Sequence, residues 1–286
     1  MRDIFSKLDK YEIKIRKAVN SHLHGNFNSI FKGTGLEFAD LRTYQYGDDV
    51  RTIDWITTAK GHGAYVKIFK EEKEQTVFFL LDVSGSQKVG AEGKMKIDRA
   101  KEVCGVLALS AIKESSSVGL YCFSDQKELY LKPETGINFA YKFVLKLFGN
   151  VPKSSKTNIR SALGFALDVL KKKSVIILIS DFLDENYIDN LRALAKKHDL
   201  VIIQLYDKRE NSLPNLGIIP IIDRETNSVN WINTSSKTFK SQMHNSFKEK
   251  GGMLQKISRQ YKTSYLSISA DEDFVPRLIE LFRIRK

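Results

Sequence analysis

The stretch FFLLDVSGSQ, residues 78–87, decides the fold. It belongs to a continuous apolar run, TVFFLLD (76–82), which predicts a central parallel strand covered on both faces. Where the run ends, Asp82, Ser84 and Ser86 alternate, with Gly85 between the serines. A carboxylate and two hydroxyls are thus set at a strand end, where open α/β sheets place their ligand crevice.

Working outward, Ile97, Ala100, Val103, Cys104, Leu107, Ala108 and Ala111 recur at helical spacing. SVGLYCFS (117–124) and KELYLKP (127–133) are separated by two residues, too few for a crossover helix, so they predict an antiparallel hairpin at the sheet edge. Helical patterns follow at about 138–148 and from Thr157, the second marked by Ile159, Ala162, Leu163, Ala166, Leu167 and Leu170. SVIILIS (174–180) reads as a second buried strand, YIDNLRALAKKH as a helix, and DLVIIQLYD (199–207) as a third parallel strand. GIIPIID and VNWIN around RETNS predict a β-hairpin insertion. A basic helix over about 236–261, the strand SYLSIS (264–269) and the helix FVPRLIELFRIRK close the chain. The fold class is therefore α/β, a doubly wound, mostly parallel, Rossmann-like sheet with one antiparallel edge strand over residues 75–286. Residues 1–74 read as an N-terminal α+β extension. A basic amphipathic helix (Ile4, Leu8, Tyr11, Ile15 and Ala18 on one side) leads to the charge-dense block GTGLEFADLRTYQYGDDVRTIDW (33–55), where Asp48 or Asp49 suits a helix cap, and to the strand AYVKIFKE.

The totals bound the function. With 286 residues, 42% hydrophobic and 28% charged, the chain can bury a sizeable core. No apolar run approaches the ~20 residues of a membrane span, and MRDIFSKLDKYEIKIRK lacks a signal-peptide pattern, so a soluble, cytoplasmic protein is expected. Cys104 and Cys122 lie in apolar patterns and read as reduced core residues. The histidines at 22, 24, 62, 198 and 244 show no zinc spacing. The net charge of +12 favours acidic partners, but the lysines are spread along the chain, as on a solvated basic surface.

Asp82 and Asp181 end two strands that flank the expected switch point. Two nearby carboxylates repel unless something positive lies between them. Ser84, Ser86 and Thr157 in SSKTN, with Ser155 as the alternative, add neutral hard oxygens. Such a set suits Mg²⁺, and Mn²⁺ or Ca²⁺ would also accept it.

DVSGS, Thr157 and the Asp181 of LISDF resemble, in that order and context, the metal-ion-dependent adhesion site of von Willebrand factor A (vWA) domains. The resemblance implies a metal held by Asp82, Ser84, Ser86, Thr157 and Asp181 and completed by an acidic side chain of a protein partner. The 33–55 block, IIDRETNSVNW and LIELFRIR resemble the domain-of-unknown-function family 58, DUF58, over most of the chain. Many of its members carry membrane spans ahead of the block; none is expected here. That family implies work beside a MoxR-type AAA+ ATPase in assembling, remodelling or metal-loading proteins. In the block itself, Arg42 and Arg51 amid Asp40, Asp48, Asp49 and Asp54, with Tyr44 and Trp55 as anchors, predict a clamp onto the sheet domain, with a partner-docking surface as the alternative.

Two rival readings are weaker. A metal-assisted phosphoester hydrolase would use Asp82 as nucleophile, but Ser84 stands where a second acid is wanted and no general base is placed. A nucleic-acid or anionic-membrane binder would use lysines at 7–17, 171–173 and 237–262, without interleaved aromatics.

Overall fold

A computed structural model of the chain describes residues 2–22, 36–61, 63–71, 75–91, 93–211, 213–222, 225 and 228–284. His24, His62, the start of the 33–55 block and part of the RETNS turn lie outside the described residues, as do the side chains of His22, Ile15 and Ala18.

The chain opens with helix α1 (Arg2–His22) and a two-stranded antiparallel ribbon, β1 (Leu36–Thr43) with β2 (Tyr65–Glu71), which encloses the short helix α2 (Trp55–Thr58). The sheet unit then runs β3 (Thr76–Asp82), a small β4–β5 ribbon (Gly90–Ala91, Lys94–Met95), α3 (Lys96–Lys113), β6 (Ser117–Phe123), β7 (Lys127–Glu134), α4 (Ile137–Gly149) and α5 (Ile159–Val169). It continues through β8 (Val175–Ser180), α6 (Ile188–Lys197), β9 (Asp199–Tyr206), α7 (Lys208–Asn211), the hairpin β10 (Ile218–Ile222) and β11 (Val229–Asn233), α8 (Lys237–Tyr261), β12 (Ser264–Ser269) and α9 (Val275–Ile284).

Six strands form one sheet in the order β12-β9-β8-β3-β6-β7, with β7 alone antiparallel to its neighbour. The chain leaves β3 towards β6 on one side and returns to β8 on the other, so the switch point falls at β3. Alternation along β3 divides the core in two. Val77, Phe79 and Leu81 pack with α3, α4 and α9, whereas Phe78 and Leu80 pack with α5, α6 and Leu254 and Ile257 of α8. Burying each such side chain contributes about 1.5–3 kcal/mol. The neighbouring strand β6 makes room for one of them: a Cβ on Gly119 would stand 2.6 Å from the Phe78 ring.

α1 is part of this core. Leu8 is fully buried against the α3 side, and Lys113 of α3 bonds Asp9 at 2.5 Å and Glu12 at 2.8 Å. The strand expected at AYVKIFKE is β2; it pairs with β1 outside the six-stranded sheet and leads in sequence into β3. Cys104 and Cys122 are free and buried. Among the described residues no helix is long and apolar enough to cross a membrane.

Candidate functional site

Asp82 ends β3 with no exposed surface. Its Oδ1 accepts the Ser84 N–H at 3.0 Å, and its Oδ2 accepts the Ser180 hydroxyl at 2.7 Å and the Gln87 amide at 3.4 Å. These donors are neutral. Burial, with the charge of Asp181 added, pushes the Asp82 carboxyl up to about 7. Gln87 Oε1, buried beside it, has no hydrogen-bond partner among the described residues.

The serine loop turns sharply through a short 3₁₀ segment, Gly85–Lys88, which stacks its two hydroxyls: Ser84 Oγ and Ser86 Oγ lie 3.1 Å apart. The Gly85 N–H donates to the Ser155 carbonyl at 2.7 Å, tying this loop to the one carrying Thr157. That second loop is anchored on both sides. Glu128 of β7 accepts the N–H groups of Lys153 and Ser154 and the Ser124 hydroxyl. Asp184 accepts the Ile159 N–H at 2.7 Å. Asn158 caps α5 through Ser161, so Thr157 lies one residue ahead of the cap rather than in the helix. Its hydroxyl donates to Glu225 Oε1 at 2.5 Å.

β8 ends in an elbow. Leu81 is in register with Ile179, so Ser180 stands beside Asp82 and Asp181 follows it. Phe182, with φ 59°, adopts the left-handed conformation that costs a bulky L-residue about 1–2 kcal/mol. Its buried ring beside Tyr187 and its N–H bond to Ser180 Oγ hold that turn. Asp181 is thereby aimed at Lys96, the first residue of α3. Lys96 Nζ donates to Asp181 Oδ2 at 2.7 Å and to Glu210 Oε1 of α7, and its side chain is fully buried. Burial alone would lower the lysine pKa, but Asp181 and Glu210 outweigh it and raise it. Burial likewise lifts Glu210, with Lys96 opposing. Asp181 and Glu210 also line a cleft of about 290 Å³ with Tyr206, Phe239, Met243 and Phe247. These apolar walls make an unpaired carboxylate costly, so Lys96 stays.

The structure brings Asp82, Ser84, Ser86 and Asp181 to one end of the sheet, with Thr157 on the adjoining loop. It also supplies partners that sequence reasoning missed. Lys96 provides at Asp181 the positive charge that two facing acids led one to expect. Its signal was available: a lysine in the first turn of a helix opposes the helix dipole unless acids compensate it. Ser180, Gln87, Glu210 and Glu225 carry no comparable mark.

The 33–55 block departs from expectation. Arg42 bonds Asp48 bidentately at 2.7 and 2.8 Å, and Arg51 bonds Asp49, so these pairs close within the block and do not clamp it to the sheet. Asp49 caps the turn Val50–Thr52 and Asp54 caps α2. Trp55 is 67% exposed, not an anchor.

Among known proteins, the chain is 26% identical over 223 residues to Uncharacterized protein Mb1516 of Mycobacterium bovis, covering 76% of this chain and 70% of that one. The same figures hold for Uncharacterized protein Rv1480 of Mycobacterium tuberculosis. Of solved structures, the conserved hypothetical protein BatB from Bacteroides thetaiotaomicron is 16% identical with a TM-score of 0.47, covering 74% of this chain and 98% of that one. The SpRpn10 VWA domain is 13% identical with a TM-score of 0.41, over 73% and 93%. The family model described as "Protein of unknown function DUF58" matches residues 40–252, well over half the length, and the chain belongs to that family.

Proposed function

We propose that this end of the sheet is a non-enzymatic, divalent-metal-dependent protein-binding site of vWA type. Ser84, Ser86 and Thr157 would give hydroxyl ligands, with Asp82 and Asp181 as the acids behind them. The observation that carries the reading is Asp82: a fully buried carboxylate whose hydrogen-bond donors are neutral, beside an orphaned Gln87 oxygen. Lys96 serves Asp181 and Glu210, which leaves Asp82 to attract a cation. The hydroxyl spacing fits as well. An octahedral shell with ~2.1 Å bonds has edges of ~3.0 Å, against the 3.1 Å between Ser84 Oγ and Ser86 Oγ. Mg²⁺ suits this set, with Mn²⁺ or Ca²⁺ acceptable; when bound it would keep positive charge for a visiting carboxylate.

Binding rather than catalysis is favoured by the state of Lys96, the nearest candidate base, which two carboxylates hold protonated. The partner is an acidic side chain of another protein, and the DUF58 resemblance points to a MoxR-type AAA+ ATPase or its client. Purified ATPase from the same genome should bind the wild-type chain in Mg²⁺, and Asp82→Ala or Ser84→Ala should abolish binding. Isothermal titration with Mg²⁺ alone should lose its heat in Asp82→Ala. Association that survives both EDTA and Asp82→Ala would refute the reading.

A further inference from the structure

Glu225 lies in the turn between β10 and β11 and reaches the candidate site through both its main chain and its side chain. The Ser155 hydroxyl donates to its carbonyl at 3.2 Å, and the Thr157 hydroxyl donates to its Oε1 at 2.5 Å. Ser155 in turn accepts the Gly85 N–H of the serine loop. One acid of the insertion is thus seated on the loop that carries a candidate ligand and is linked to the other two.

We propose that Glu225 is the acidic ligand this site holds from its own chain, so that the β10–β11 hairpin and an acidic partner compete for one position. The inference rests on the metal-dependent reading above. A hydroxyl binds a cation through an oxygen lone pair and keeps its proton to donate. Thr157 can therefore hold the ion and the Glu225 carboxylate together, and a widening of their 2.5 Å separation to the ~3.0 Å of adjacent ligands would seat both on it. A tethered carboxylate acts at an effective concentration on the order of millimolar, so a free acid of weak intrinsic affinity does not displace it. A partner must also loosen the hairpin, and the hairpin is suited to that. It is a separate two-stranded ribbon, marginal by itself, with Ile218 and Trp231 about two-thirds exposed.

The test uses Mn²⁺ with the full-length chain, reading affinity and the water-proton relaxation of the bound ion, which reports its bound waters. Glu225→Gln and Glu225→Ala should each weaken Mn²⁺ about tenfold, the scale on which one ligand charge tunes a hard-cation site, and should raise the relaxation per bound ion. Added acetate should bring that relaxation back down in Glu225→Ala and leave wild type unchanged. Matching thermal melts in EDTA establish that the variants fold. If Asp82→Asn abolishes Mn²⁺ binding while both Glu225 variants match wild type in affinity and relaxation, Glu225 is no ligand and this inference alone falls. If wild type binds no Mn²⁺ that Asp82→Asn removes, the metal reading falls and takes the inference with it.

Discussion

Two regions of this molecule are built from the same ingredients, lysine or arginine beside aspartate, and use them oppositely. At the sheet end, Lys96, Asp181 and Glu210 are gathered from three elements into the interior. In the β1–β2 ribbon region, Arg42–Asp48 and Arg51–Asp49 join residues two to six positions apart on the surface. An interior cluster leaves a costly charge behind when one member is removed. A surface pair returns its charges to water. The lesson is that the cation count says little; the distance along the chain that a pair closes, and its burial, say what it holds together.

The largest expected effect is at Lys96. Lys96→Met strands two carboxylates beside an apolar cleft and should cost about 3–5 kcal/mol, measured as the loss of urea midpoint. Adding Asp181→Asn and Glu210→Gln should recover much of it. Next comes Leu8→Ala. α1 precedes the ribbon in sequence yet belongs to the core, so the loss should be about 2–5 kcal/mol; a negligible change would place α1 with the ribbon instead.

A smaller, pH-dependent effect attaches to His198, buried with its Nδ1 accepting the Ser174 N–H at 3.3 Å. Burial, aided by Lys197, pulls its pKa down to about 4, whereas the unfolded chain has about 6.5. Between those values the unfolded state binds the extra proton, so stability falls as pH falls from about 6.5 towards 4. The loss by pH 5 should be at most about 2 kcal/mol. His198→Asn, which keeps an acceptor and does not titrate, should flatten that slope. Smallest of all, Arg42→Ala should leave the urea midpoint indistinguishable from wild type at any salt concentration. A clear drop there would erase the contrast between the regions.

Much of this architecture was legible because hydrophobic periodicity is local. β3, β8 and β9 announce themselves as unbroken apolar runs, and the two-residue gap after Phe123 and Ser124 leaves room for nothing but a hairpin. The strand-end acids followed from topology, since whatever ends β3 and β8 must meet at the switch point. What stayed hidden depends on distant pairing. Lys96 in GKMKIDRA stands at a helix start, but which acids answer it is decided only by the tertiary approach of β8 and α7. Glu225, inside the polar turn RETNS, reads as a solvated loop acid until the hairpin is folded over the Thr157 loop. The ribbon misled for the opposite reason: dense charge suggested long reach, and the pairs closed on themselves.

Ser180 gives to Asp82 with its proton and receives the Phe182 N–H with its lone pair. One small alcohol therefore wires the first acid to the bend that aims the second. Beside the direct charge interaction of the two acids, a rearrangement around Asp82 has a hydrogen-bonded route to the bend that aims Asp181 at Lys96 and the start of α3. Exchanging that alcohol for a methyl group would leave every strand in place and remove both of those bonds, leaving only the charges to speak to each other.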